Sequence, residues 1–310
     1  MQGRGIKILF VCGVAAIVLR TLLDSDFATT TLVYIVVPFA FSAALYFLVP
    51  SAEGTGLAAD FFNHLRIVTI GFLLTSAFLF EGFICVLMFM PIYYVMATLA
   101  FAAGWFFKRK EKDDKLRAIA IPVIVLVAAA EGLVPASSFE REEAQTFSAY
   151  SSQSVEELKA NMAEPITFAG ERHWFLRLFP LPDRIEAGSL AEGDTHRMHF
   201  TYRRWGFTNV HKGEMHVKIT HVGERDIATK ITRNDSYLAN YLDVHGTRIR
   251  FEPVEGGGTN IHLTVLSRRT LDPVWYFAPV QKLATKNSAR FFIEEIIARH
   301  EVEELEPEEG

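Results

Sequence analysis

Histidine is the side chain best suited to chemistry near neutral pH, and nine of the ten histidines in this chain follow Pro135. Five of them, His196, His199, His211, His216 and His221, fall within a run of strand-like sequence. Side chains alternate across a strand, so His196 and His199 face opposite ways, as do His216 and His221. A zinc site needs three or four converging ligands. This spacing supplies no such set, and neither a metal nor a cofactor is expected. Two acid–base neighbours, Asp194 with His196 and Asp243 with His245, are of the kind that chance produces among nine histidines and twenty-seven acidic residues in this part of the chain. There is no Gly-x-Ser-x-Gly, no phosphate-cradling glycine loop, no His-Glu-x-x-His and no cysteine beyond Cys85. No catalytic residue is assigned, and a binding role is favoured over an enzymatic one.

The second group is aromatic. Trp174 and Phe175, then Tyr202, Trp205 and Phe207, then Tyr237 and Tyr241 are dense for one small domain. Trp275 and Tyr276 open the last helical pattern and Phe291 lies further along it. Pockets for apolar ligands are lined by apolar and aromatic groups with a few polar anchors, so these ten are the candidate pocket. The competing readings are a domain core, or a belt at a membrane surface where Trp and Tyr collect. The third group is Glu81, Glu131 and Arg20, the ionisable residues of otherwise apolar segments. A carboxylate inside a span is costly and marks function unless it sits at the interface. The sharper expectation is a polar notch facing the soluble domain.

The elements that must position these groups divide sharply by composition. Of 310 residues, half are hydrophobic and 22% charged, but only nineteen charged residues precede Pro135 and forty-eight follow. The second part carries twenty-seven acidic and twenty-one basic residues, which is not the basic face of a nucleic-acid-binding protein. The first part reads as a transmembrane helical domain over 1–134, with 135–142 as linker. Ile6–Leu23 is expected to stay as a span rather than be cleaved, since no small-x-small site precedes Asp24. Phe27–Val49 is a second span, and Ser51–Leu65 reads as a polar loop. Ile67–Phe107 is too long for one crossing and must be a hairpin, turning at Glu81-Gly82 in preference to Pro91. A last span runs from Ala118 to Val134. Five spans put both Arg4/Lys7 and the six basic residues of Lys108–Arg117 on the cytoplasmic side. The soluble domain is then outside, in the periplasm of a bacterium with two membranes.

From 143 to 300 the pattern changes. Ala144–Ser152 reads as a strand. Ser154-Val155-Glu156-Glu157 has the form of a capping box opening a short helix. Thr195–Tyr202, Phe207–His211, Glu214–His221 and Asp226–Thr232 read as strands, with Lys212-Gly213 as a break. Gly246–Pro253 and Thr259–Arg268 flank Glu255-Gly256-Gly257-Gly258, a hairpin signal. Asp272–Arg299 has helical spacing of Leu283, Phe291, Phe292, Ile296 and Ile297. The acidic residues 301–310 are expected to be disordered.

This order, carried by the Ala144–Ser152 strand, the Ser154–Leu158 helix start, the glycine hairpin and the terminal helix through Phe291–Ile297, resembles the START-like (SRPBCC) superfamily of polyketide cyclases, lipid-transfer domains and the pollen-allergen fold. The membrane half, from Phe80 through Pro91, resembles segments of bacterial membrane proteins that carry such a domain. The resemblance implies an α+β helix-grip domain following an all-α transmembrane bundle of about five helices. It implies a cavity for a lipid, isoprenoid-like or other hydrophobic molecule, at the outer face of the bacterial inner membrane. Two alternatives stay open here: a docking or sensing subunit of a membrane protein complex, and a cyclase- or aromatase-like enzyme.

Overall fold

In the computed structural model, which describes residues 31–49, 56–78, 83–109, 112–131, 139–168, 181–203, 210–240, 242–299 and 303–304, the chain divides into two units. One is Met1–Phe139 with Leu271–Phe277, the other Glu140–Thr270 with Ala278–Gly310.

The described part of the first unit is built on helices α1 (Thr31–Leu48), α2 (Leu57–Phe78), α3 (Phe83–Lys108) and α4 (Lys112–Ala128). The long apolar run divides into two helices, α2 stopping at Phe78 and α3 starting at Phe83, with Pro91 inside α3; the expected turn at Glu81-Gly82 lies outside the described residues. Two boundaries correct the sequence reading. α2 begins within the expected polar loop, where Asn63 accepts from Arg66 at 2.7 Å and His64 Nε2 meets Ser42 Oγ at 2.8 Å in a buried pair. Polar side chains that find partners do not break a helix. α4 begins inside the basic run, because Asp113 and Asp114 in its first turn suit the positive end of the helix. Asp114 is buried and pairs with Arg109 and Arg117 at 3.5 and 3.3 Å.

By length and composition, two helices among the described residues are long and apolar enough to cross a membrane, Leu57–Leu74 and Val86–Lys108. Tyr34–Leu48 is apolar but shorter, and the charged start of α4 cuts its apolar length. Five spans are expected from the sequence; two meet this measure. Ile6–Leu23, the first expected span, lies outside the described residues. The interior is apolar, with Ile35, Ile92, Met96, Val125 and Ala129 in one cluster and Leu45, Val68, Tyr93 and Ala97 in another.

The second unit is one antiparallel sheet and the helix it wraps. The strands are β1 (Glu142–Ser151), β2 (Ile166–Thr167), β3 (Pro182–Glu186), β4 (Thr195–Arg203), β5 (Val210–Val222), β6 (Asp226–Asn234), β7 (Leu242–Pro253), β8 (Thr259–Arg269) and β9 (Glu303–Glu304). Their order is β2-β3-β4-β5-β6-β7-β8-β1-β9. β2 to β8 form a meander, and β1 returns to pair with β8 from Glu142↔Arg268 to Ser151↔Thr259. Bulges in β5 and β7 bend the strands. Helix α5 (Val155–Ala163) follows β1, and helix α6 (Val274–Phe292) follows β8. Together they make the helix-grip arrangement.

Local sequence accounts for most of this. The capping box forms: Ser154 Oγ accepts from Glu157 N–H, and the Glu157 carboxylate accepts from Ser154 N–H. These bonds hold the Glu157 carboxyl below its ordinary range. Gly256, Gly257 and Gly258 all have positive φ, the conformation that glycine adopts at no steric cost. Gly213 is not a break. β5 runs straight through it, and a Cβ there would lie 2.2 Å from the Asp235 carbonyl oxygen, so glycine permits a close backbone approach. β2 and β3 carry no strand expectation in the sequence. Glu303 and Glu304, expected in a disordered tail, pair with Tyr150 and Ala149.

The core joins Phe147, Ile227, Ile249, Phe251, Ile261 and Leu263 of the sheet to Ala289, Ile293 and Ile297, each large side chain contributing about 1.5–3 kcal/mol of burial. α6 passes into a π-turn, Ile293–Ile297, closed by Ala298 N–H on the Ile293 carbonyl at 2.8 Å. Its last carbonyls are met from the α5 end: Asn161 Nδ2 donates to Ile297 (2.9 Å) and Gln153 Nε2 to Ala298 (3.1 Å).

Candidate functional site

Period-two alternation puts one face of each strand toward α6, and between them lies a cavity of about 160 Å3. His196, Met198 and Phe200 line it from β4; Met215, Val217 and Ile219 from β5; Ile227, Thr229 and Ile231 from β6. β7 adds Leu242, Val244, Thr247 and Ile249, and β8 adds Leu263 and Val265. The opposite wall is one face of α6, with Ala284, Thr285, Ser288, Ala289 and Phe292, the small residues leaving the space. Every lining residue belongs to the second unit.

The wall holds few polar groups. Thr229 and Thr247, directly opposite on β6 and β7, bond hydroxyl to hydroxyl at 2.8 Å, and Thr247 N–H donates to Thr229 Oγ at 3.1 Å. Glu164 accepts from Arg299 at 3.3 Å. His196 is buried, and its Nε2 lies 2.7 Å from the Ser189 carbonyl oxygen. A wall of aliphatic side chains with isolated polar points suits an apolar guest.

The aromatic residues proposed for the pocket are distributed otherwise. Tyr202 and Tyr237 are buried and stack on each other at 4.8 Å, away from the cavity wall. Phe291 packs on Phe168 at 5.2 Å while its neighbour Phe292 takes the wall position. Trp275 and Tyr276 group with the helical unit: Trp275 is 56% exposed, and the Tyr276 hydroxyl donates to the Met88 carbonyl. Trp174, Phe175, Trp205, Phe207 and Tyr241 lie outside the described residues.

Within the helical unit Glu131 Oε1 accepts from Val274 N–H at 2.8 Å, meeting one of the unsatisfied donors that open α6. Phe277 sets its edge against Tyr34 and Phe89 at 5.2 and 5.6 Å. Glu81 and Arg20 lie outside the described residues.

His211 Nε2 lies 3.1 Å from the Asp235 carbonyl oxygen, whereas His199, His216, His221 and His245 face carboxylates. His199 lies between Glu186 (3.1 Å) and Glu214 (3.4 Å), and His216 meets Glu214 at 3.3 Å. The His216 hydrogen bond, with the charges of His199, His216 and Arg233, holds the Glu214 carboxyl below its ordinary range. His221 bridges Glu192 and Asp226, and His245 lies near Glu142 and Asp243. Among the described residues no three His, Cys, Asp or Glu side chains converge as metal ligands.

No family model matches this chain, and no curated protein matches it. Among solved structures it is similar to the crystal structure of Ara h 8.0201, with 13% identity and a TM-score of 0.27 over 50% of this chain and 99% of that one. It is also similar to DR_A0006 from Deinococcus radiodurans, with 11% identity and a TM-score of 0.21 over 49% of this chain and 96% of that one.

His196, weighed in the sequence only for metal binding and acid–base pairing, is a buried residue of the cavity wall. The signal is present: it shares parity with Met198 and Phe200, which places a polar ring on an otherwise apolar face. Asp194, its sequence neighbour, does not pair with it. The Asp194 carboxylate accepts from the Ser189 hydroxyl and so steadies the carbonyl that His196 meets.

Proposed function

We propose that this chain is a membrane-anchored binding protein for a hydrophobic small molecule of lipid or isoprenoid-like chemistry, held between the sheet and α6. The observation that carries this reading is the cavity of about 160 Å3 walled by residues of the seven strands β2 to β8 and by Ala284, Ser288 and Ala289 of α6. Anchoring is supported by the two long apolar helical stretches. Large apolar side chains left exposed on the helices, Phe62, Ile70 and Leu74 on α2 and Ile119, Ile124 and Val127 on α4, add to it, since a water-soluble surface rarely carries so many together. Tethering the cavity at a bilayer raises the local concentration of a guest that barely dissolves in water.

The basic residues at Arg4 and Lys7 and in Lys108–Arg117 support a topology with the helix-grip domain at the outer face of a bacterial inner membrane. There it would present or pass its guest. A reporter fused after Gly310 then behaves as periplasmic, and cytoplasmic activity would overturn that orientation.

The test of binding is native mass spectrometry with lipid extraction on the full chain purified in mild detergent. A defined co-purifying lipid is expected. A protein that carries none and takes up none when offered sinks the binding reading and leaves a docking subunit of a membrane complex.

A further inference from the structure

We infer that the guest is a neutral apolar alcohol, with its hydroxyl donating a hydrogen bond to Nδ1 of His196. This rests on the binding reading above and specifies the ligand class.

A carbonyl oxygen only accepts. The 2.7 Å contact between His196 Nε2 and the Ser189 carbonyl therefore puts the proton on Nε2, and Nδ1 of the neutral ring is left as an acceptor. Among the described residues no protein group bonds Nδ1. The His196 side chain is buried and lines the cavity, next along its strand face to Met198 and Phe200, and its remaining acceptor is assigned to the guest. The tautomer is fixed from behind. The Asp194 carboxylate accepts a hydrogen bond from the Ser189 hydroxyl, Ser189 Oγ accepts from Ala191 N–H at 3.1 Å, and the Asp194 carbonyl accepts from Ile219 N–H at 2.8 Å. The loop that presents the Ser189 carbonyl is thus tied to β5.

The hydroxyls of Thr285 and Ser288 on α6 can both donate and accept, so they do not select for a guest that brings a proton. Thr229 and Thr247 satisfy each other. An acceptor in an apolar cavity selects for a guest that brings a proton. A hydrocarbon brings none and leaves Nδ1 unpaired, at a cost. An ionised carboxylate is acceptor-only and meets a lone pair. An ammonium would carry a full charge into an aliphatic wall. A hydroxyl on an apolar body fits each constraint.

The experiment uses the full chain in mild detergent, stripped of co-purified lipid and offered three probes of one skeleton at pH 8: farnesol, farnesoic acid and farnesene. Retention is counted by native mass spectrometry in direct competition. One neutral hydrogen bond predicts a preference for the alcohol over the hydrocarbon of about three- to tenfold, with the acid no better than the hydrocarbon. His196→Phe keeps an aromatic ring without the acceptor and brings that preference to one. His196→Gln, whose amide oxygen can accept, regains part of it. Equal retention of alcohol and hydrocarbon by the parent, or an undiminished preference in His196→Phe, overturns the anchor while leaving the binding reading standing. Retention of none of the three by the parent overturns both. Should His196→Phe fail to fold, the parent's own ranking of the three probes decides.

Discussion

Filling the cavity is the perturbation whose outcome separates a binding site from a packing accident. Ala284 lines the cavity from α6, and Ala284→Phe directs a ring into it. Void space in an apolar interior costs roughly 24 cal/mol per Å3, so about 160 Å3 left unfilled costs about 4 kcal/mol. A buried Phe side chain gains about 1.5–3 kcal/mol, and lost rotamer freedom takes back about 0.5–1 kcal/mol. The lipid-free variant should therefore be about 1–2 kcal/mol more stable than the lipid-free parent. At about 2–4 °C per kcal/mol for a domain of this size, its transition rises by about 2–8 °C. Scanning calorimetry of the full chain after lipid removal reads the shift, and native mass spectrometry reads occupancy in parallel. The parent should lose stability on delipidation, because a guest that binds only the folded state stabilises by mass action. Ala284→Phe should be indifferent to delipidation and carry no guest. A variant that is less stable than the lipid-free parent would mean the space is not a usable void. A variant that still retains lipid would put the guest elsewhere.

Gly213→Ala should cost about 1–3 kcal/mol, since its Cβ would lie 2.2 Å from a backbone oxygen of Asp235 that cannot swing aside. Hydrogen exchange along Val210–Met215 should rise, and unchanged protection would refute the close-approach reading. Ser154→Ala should cost about 1 kcal/mol at neutral pH through loss of the cap. The pH dependence has a definite sign. Ser154 holds the Glu157 carboxyl below its ordinary value, so that carboxylate's contribution is complete above the unfolded carboxylate pKa. It disappears as pH falls through the folded one. The gap between parent and Ser154→Ala in urea titrations should therefore narrow on acidification, and a gap that widens would contradict the assignment.

Much of the second unit was legible because its signals are local. A run of three glycines can hardly be anything but a turn, Ser154 and Glu157 announce a helix start, and Phe292, Ile296 and Ile297 keep helical spacing. What escaped depended on contacts far along the chain. Gly213 looks like a break in sequence and acts as a gap for the Asp235 backbone. β2 and β3 are two and five residues long, too short for a pattern to show. Aromatic density is a poor guide to the pocket, whose wall is the plain alternation of Met198, Phe200, Met215, Val217 and Ile219. Tyr202 and Tyr237 pack against each other. In the helical unit, hydropathy located α1 to α4 but not their ends, since Asp114 and His64 find partners that a polarity count ignores.

The sheet has an open order, with β2 at one border and β9 at the other, and each of these is only two residues long. Between β9 and the start of β1, the crevice beside Gln145, Thr146 and Phe147 is shared with Lys282, Leu283 and Lys286 of α6. Long bare borders are what let one sheet zip onto another. Clipped borders and a helix laid alongside β1 let copies of this domain collide without fusing into a continuous ribbon.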